Sequence, residues 1–229
     1  MSLQKERLDL FAETLRLAFV RRGAGRVFLL LHGGAGAGSM LGLAEALAAG
    51  SCAVLPTHPG FDGEPRPERF TRIDDLVLVY LTFLERLDLK RVVLVGNSIG
   101  GWLAAELALR KSPRIAGAVL LDAVGIDTGS PDRTIPDPDE VPPAELMARA
   151  FHDPQKLARP PTPEEAATLA ENQRSLRIYA GRPFMHDPGL RARLAGMWRF
   201  EVLPMAGHLP QIERLEDTRR LVEDFAATL

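Results

Sequence analysis

Val92-Val93-Leu94-Val95-Gly96-Asn97-Ser98-Ile99-Gly100 is the stretch that decides the fold. Its four leading apolar residues read as a strand buried on both faces. The run that follows, Gly101-Trp102-Leu103-Ala104-Ala105-Glu106-Leu107-Ala108-Leu109, has no breaker after its glycine and reads as a helix. Between the two lies G-x-S-x-G, a pattern suited to a nucleophile on a sharp turn. The serine there takes a strained backbone angle, and bulky neighbours would collide. Gly96 and Gly100 remove those collisions. A helix opening at this point aims its dipole and free N–H groups at Ser98, where an oxyanion would form. The bland alternative is a glycine-rich turn with an incidental serine, and the flanking strand and helix argue against it.

Toward the N-terminus, Val27-Phe28-Leu29-Leu30-Leu31 is a second continuous apolar run, ending in the loop His32-Gly33-Gly34-Ala35-Gly36-Ala37-Gly38. Ser39 is placed to cap a helix from Met40 to Ala49, with Gly50 as its stop. Strand, glycines and helix also describe a dinucleotide site, in which backbone N–H groups hold a pyrophosphate. The next strand discriminates, because a dinucleotide fold needs an acidic residue at its end to bind the ribose. Here Cys52-Ala53-Val54-Leu55 runs instead into Pro56-Thr57-His58-Pro59-Gly60-Phe61-Asp62-Gly63. The glycine loop therefore reads as the source of a second oxyanion-hole donor, a backbone N–H that can approach substrate closely. His58 reads as a turn histidine or a support behind the site rather than a group touching substrate. Further upstream, Thr14 to Val20 alternates polar with apolar, as expected of a half-exposed edge strand that opens the sheet.

Thr71 to Leu87 is predicted as a helix capped by Thr71, with Leu76, Val77, Tyr80, Leu81 and Leu84 on its apolar face. Ile115-Ala116-Gly117-Ala118-Val119-Leu120-Leu121 is another buried strand, and it ends at Asp122. Strands alternating with helices imply parallel pairing, with a binding crevice at the strands' C-terminal ends. His32, Ser98 and Asp122 all fall at that crevice. From about 129 to 196 the strand pattern gives way to helix signals. Pro142-Pro143 can start one helix, which would run through Phe151. Thr162-Pro163-Glu164-Glu165 forms a capping box for a second helix, extending to about Tyr179. Asp187 caps a short third helix from Gly189 to Ala195. Phe200 to Pro204 then reads as a short strand leading to Gly207-His208, and an amphipathic helix from Glu216 to Leu229 closes the chain.

Bulk properties narrow the choice of function. The chain has 229 residues, 46% of them hydrophobic and 25% charged, which suits one sizeable core with an insertion. A net charge of -2 without a basic stripe makes nucleic acid an unsuitable partner. No apolar run has the length or flanks of a signal peptide or membrane span, so a soluble, cytoplasmic protein with no membrane partner is expected. The single cysteine, Cys52, opens an apolar strand and reads as a buried thiol, and no zinc-binding spacing occurs.

Together with Gly207-His208-Leu209-Pro210, the His32-Gly33-Gly34 and Gly96-Asn97-Ser98-Ile99-Gly100 motifs give a sequence that resembles the α/β-hydrolase superfamily over nearly its whole length. The resemblance implies a doubly wound, mostly parallel sheet. Its core would comprise residues 1–128 and 197–229, with a helical cap insertion at 129–196. It also implies a serine hydrolase in which Ser98 attacks an acyl carbon, His208 takes and returns the proton, and the N–H groups of Ile99 and Gly34 stabilise the oxyanion. A solvent-facing loop histidine is the alternative for His208, but it follows the serine in the chain order this fold uses.

The departure from the family concerns the acid. Such hydrolases usually carry Asp or Glu after a strand that precedes the histidine strand, separated from it by a helix. Only Met197-Trp198-Arg199 lies between Gly196 and Phe200, so one C-terminal-side strand and helix are predicted to be missing. Asp122 is the preferred replacement, since it follows an apolar strand at the crevice and certain haloalkane dehalogenases place their acid there. Asp127 and Asp187 are the alternatives, followed by a crippled triad or an acid supplied by another chain. The deletion should leave an apolar flank, which invites a homodimer or exchange of the C-terminal segment.

The expected activity is hydrolysis of a small ester, lactone or related acyl compound, with no metal and no organic cofactor. Ser98 argues against dehalogenation, which needs a carboxylate nucleophile. The glycine loop also resembles that of prolyl aminopeptidases, which keeps amide cleavage open, and carbon-carbon bond hydrolysis uses the same constellation. A noncatalytic binding protein on a hydrolase scaffold is the reading from another class. Leu146, Met147, Phe151, Tyr179, Phe184 and Met185 are candidates for an apolar lining of the cap.

Overall fold

The computed structural model describes residues 5–126, 141, 145, 148, 150–153, 161–181, 186–187, 189–197, 199 and 201–229. Six strands form the main sheet: β1 (Glu6–Leu10), β2 (Leu15–Gly23), β3 (Val27–Leu31), β4 (Cys52–Pro56), β5 (Val92–Asn97) and β6 (Ile115–Leu121). Their spatial order is β1-β2-β4-β3-β5-β6. β1 and β2 pair antiparallel, as do β2 and β4, while β4, β3, β5 and β6 run parallel. This is the doubly wound, mostly parallel sheet that the apolar runs predict. The helices are α1 (Leu41–Ala48), α2 (Ile73–Arg86), α3 (Ile99–Leu109), α4 (Pro163–Ala180), α5 (Leu190–Leu194), α6 (Pro210–Glu213) and α7 (Leu215–Ala227). No helix among the described residues is long and apolar enough to cross a membrane.

Continuous apolar strands arise because both faces of the sheet are covered. Side chains alternate along a strand, so Phe28 and Leu30 of β3 pack with Leu43, Leu47 and Val222 of α1 and α7. Leu29 and Leu31 pack on the other face with Leu76 and Tyr80 of α2 and Leu103 of α3. Each such side chain contributes roughly 1.5–3 kcal/mol on burial. A charge at any of these positions would therefore break a layer.

Several local expectations differ from the structure. β2 is an interior strand, because β1 forms a hairpin with it and takes the edge. The turn between them is built from Phe11, Ala12 and Glu13 at positive φ, without the glycine or asparagine that would have marked it. Ser39 does not cap α1; its hydroxyl donates to Gly36 O at 2.7 Å within a 3-10 turn over Ala37–Met40. At α2 the capping acceptor is Asp75, which receives the N–H groups of Thr71 and Arg72 at 2.7 and 2.9 Å. The predicted strand before His208 does not form: Glu201 to Leu203 are irregular, and Val202 is 76% exposed. A strand there needs a neighbour beyond β6, and among the described residues the main sheet ends at β6. All seven residues of β6 are accordingly only partly buried.

The capping box of α4 forms as predicted, with Thr162 Oγ1 accepting from Glu165 N at 3.2 Å and Glu165 Oε2 accepting from Thr162 N at 2.8 Å. α4 sits on the loops that follow β3 and β4. Ser175 Oγ donates to Gly60 O at 2.5 Å and Tyr179 OH to Pro59 O at 3.1 Å. Asn172 and Asp62 form a reciprocal pair at 2.7 and 2.8 Å, and the other Asp62 oxygen accepts from Ala37 N at 2.8 Å. Of the predicted helix before Phe151, Glu145, Ala148 and Ala150 are helical, and the remainder lies outside the described residues. The two-residue strands β7 (Gly125–Ile126) and β8 (His186–Asp187) pair in parallel. Asp187 is thus in a strand, and the N-cap of α5 is Gly189 rather than Asp187.

Candidate active site

β3, β5 and β6 end side by side, and the residues just beyond them build the site. The register aligns Leu31 with Gly96 and Asn97 with Leu121, which brings His32, Ser98 and Asp122 to one end of the sheet. Ser98 stands between β5 and α3 at φ 56 and ψ -122. A non-glycine residue held there stores roughly 1–3 kcal/mol of strain. The turn is tight enough that a Cβ on Gly96 would fall 2.1 Å from Gly100 O, and one on Gly100 would fall 2.1 Å from Leu31 O. Ser98 O accepts N–H bonds from Gly101, Trp102 and Val124 at 2.9, 3.1 and 3.2 Å. Ile99 holds the first position of α3, where a backbone N–H has no partner within its helix.

The glycine loop lies against the serine: a Cβ on Gly33 would be 2.9 Å from Ser98 Cβ. Behind it is a buried chain of hydrogen bonds. His58 N donates to His32 Nε2 at 2.9 Å, so the His32 proton sits on Nδ1, which donates to Gly33 O at 2.8 Å. His58 Nε2 donates to His32 O at 3.0 Å, and its Nδ1 accepts from Tyr80 OH at 2.5 Å. Both imidazoles are fully buried and neutral. Burial lowers His32 to about 4. Burial, and the repulsion a protonated His32 beside it would add, push His58 well below its ordinary value. Burial likewise raises Tyr80, keeping its hydroxyl a donor. Because the Gly33 carbonyl is fixed by His32, the planar 33–34 peptide holds the Gly34 N–H in one orientation. From above, Leu176 and Gln173 of α4 approach Gly34, with Gln173 Nε2 at 3.4 Å from its carbonyl oxygen.

Asp122 and His208 meet. His208 Nδ1 lies 2.5 Å from Asp122 Oδ2, with the two side chains 32% and 59% exposed. Asp122 takes a positive φ of 44° just past the end of β6. Asn97 Nδ2 donates to both Leu121 O and His208 O, at 3.0 and 2.9 Å, joining the end of β6 to the histidine loop.

Among the other sequence candidates, Asp127 lies outside the described residues, as do Leu146, Met147, Phe184 and Met185. Tyr179 is core rather than lining: it is buried, bonds Pro59, and stacks on Phe61 with centroids 6.4 Å apart. Asn97 occupies a variable position of the motif and is not marked by it, yet it is fully buried. The signal was available, because a buried amide at the end of an apolar strand must find partners. Tyr80 falls on the apolar face of α2 by periodicity, and its fully buried hydroxyl carries the same demand.

The sequence matches the alpha/beta hydrolase family over residues 28–222. It is 28% identical to the 2-hydroxymuconate semialdehyde hydrolase of Pseudomonas putida, over 63% of this chain and 65% of that one. The chain spans 18% and 65% of the lengths of two curated relatives that it matches. The meta-cleavage product hydrolase of Pseudomonas fluorescens IP01 has a similar structure, with a TM-score of 0.70 at 20% identity over 94% of this chain and 96% of that one. The esterase from Exiguobacterium antarcticum gives a TM-score of 0.73 at 15% identity, over 98% and 100%. Strand order, serine turn and sequence match lead to one conclusion: the chain belongs to the alpha/beta hydrolase family.

Proposed function

We propose that this chain is a serine hydrolase that cleaves a small ester, lactone or related acyl compound through an acyl-enzyme intermediate. The observation that carries the reading is the 2.5 Å contact of His208 Nδ1 with Asp122, at the end of the sheet that presents Ser98 on its strained turn. A carboxylate on Nδ1 keeps the proton there and leaves Nε2 to act as base. In this mechanism Ser98 Oγ attacks the acyl carbon while its proton passes to His208 Nε2. The resulting oxyanion is held by the N–H groups of Ile99 and Gly34, and one such donor contributes about 2.7–4 kcal/mol to the transition state. Collapse of the intermediate expels the alcohol, which takes the proton from His208. Water then enters, gives a proton to His208, and releases the acid by the same route in reverse. No step needs a metal or an organic cofactor.

Carbon-carbon bond hydrolysis, which uses the same constellation, is the second reading, and the 2-hydroxymuconate semialdehyde for which the Pseudomonas putida relative is named is the compound to try first. A fluorophosphonate probe tests the serine chemistry common to both. Labelling is expected in the intact protein, to vanish in Ser98→Ala, and to fall sharply in His208→Ala. Absence of labelling in the folded chain would favour a noncatalytic binding protein. A panel of chromogenic esters, lactones and amino-acid anilides, together with 2-hydroxymuconate semialdehyde, separates the substrate classes.

A further inference from the structure

Among the described residues no strand holds His208, since Glu201 to Leu203 join no sheet. A base still needs a fixed position, because misplacing a catalytic group by roughly 1 Å costs about 10²-fold in rate. The structure supplies the fixture from two other directions. The single turn α6 begins two residues after His208, with Glu213 N donating to Leu209 O at 3.1 Å, and this folds the Glu213 carboxylate back under the histidine loop. One carboxylate oxygen accepts from Gly207 N at 2.7 Å. The other accepts from His152 N and Asp153 N at 2.9 and 3.1 Å. His208 N in turn donates to Ala150 O at 2.6 Å. The two segments touch so closely that a Cβ on Gly207 would fall 2.5 Å from Ala150 O and 2.8 Å from Phe151 Cα. Residues 150–153 and 207–208 are therefore laced together backbone to backbone, with one carboxylate closing the lacing at both ends.

We propose that Glu213 is a positioning residue for His208. By tying Gly207 to the segment 150–153, it takes over the job of the missing strand, and it couples the placement of the base to that of this segment. The inference rests on the reading of His208 as the base. Glu213 itself makes its bonds to backbone N–H groups and acts on the reaction only through His208.

The test compares Glu213→Gln and Glu213→Ala with the intact chain. Glutamine keeps one carbonyl oxygen, enough for Gly207 or for the 152–153 pair but not for both, whereas alanine frees all three donors. The expected result is a graded loss of kcat, about tenfold for glutamine and about 10²-fold for alanine, with KM within threefold. The companion measurement is the far-downfield proton resonance of the His208–Asp122 hydrogen bond, assigned by its loss in Asp122→Asn. That resonance should weaken in Glu213→Gln and disappear in Glu213→Ala at temperatures where both variants remain folded by circular dichroism. Should Glu213→Ala not fold, the glutamine variant alone decides. Unchanged kcat together with an unchanged resonance overturns the proposal. The resonance needs no substrate, so it separates the two readings. If the intact chain neither labels nor turns over, the serine-hydrolase reading fails, and the response of the resonance to Glu213 still supports or overturns the positioning role.

Discussion

Asp122 sits where several chemical demands coincide. It follows β6 at φ 44°, a region where asparagine and aspartate are the most tolerant of the larger residues, and it touches His208 at 2.5 Å. Asp122→Asn should therefore fold normally while letting the imidazole settle in the wrong tautomer. Loss of kcat by about 10²- to 10⁴-fold is expected, the lower end reflecting an acid that water already screens, with KM within a few-fold. Steady-state kinetics on any turned-over ester checks this, and a kcat within threefold of the parent would remove Asp122 from the mechanism. At this scale the sequence was informative wherever local pattern and chemistry agree. Ser98 stands in its motif, His208 precedes the last helices, and Asp122 ends a strand. Asn97 and Glu213 were hidden because their partners are His208, Gly207 and the segment 150–153, and the contacts to 152–153 and His208 span 60 residues or more that no periodicity reports.

At the scale of elements, the loops after β3 and β4 are bound to α2 through His32, His58 and Tyr80. Every polar atom in that chain is satisfied only while both imidazoles are neutral. In the unfolded chain the same histidines take up protons near pH 6.5, whereas in the fold His32 does so only near 4 and His58 well below its ordinary value. Between those limits the unfolded state binds more protons. Stability is therefore full above about pH 6.5 and declines as pH falls toward 4, by on the order of a few kcal/mol. Thermal melts across that range should show a falling Tm, with the slope reduced in a variant that replaces either histidine by a neutral side chain. A flat Tm from pH 7 to 4 would contradict the buried neutral pair. Element boundaries were legible where an apolar run meets glycine, as in β3 and β5. They were illegible at β1, whose residues Glu6, Arg7 and Asp9 break the strand pattern, and at Glu201 to Leu203, whose strand-like pattern finds no ladder partner among the described residues.

For the molecule as a whole, the two edges of the sheet formed by the described residues are unlike. β1 carries Glu6, Arg7 and Asp9, whereas Ile115-Ala116-Gly117-Ala118-Val119-Leu120-Leu121 of β6 contains neither charge nor proline. Charged side chains are the usual protection of an edge against pairing with another chain. We expect a homodimer, or exchange of the C-terminal segment between two copies, on the β6 side. Light scattering at micromolar concentration checks it, and a strict monomer would count against it.

His208, with its side chain 32% exposed beside an Asp122 carboxylate that is 59% exposed, is also within reach of small solutes. In His208→Gly the vacated space adjoins Asp122, and free imidazole entering from the buffer can hydrogen-bond that carboxylate and accept the Ser98 proton. Added imidazole should restore turnover saturably, and the restoration should vanish when Asp122→Asn is combined with the glycine substitution. A bulkier ring such as 2-ethylimidazole should restore less. Deleting a deeply enclosed base would silence an enzyme permanently; here the deletion would leave one whose rate is dosed by the concentration of a freely diffusing ring.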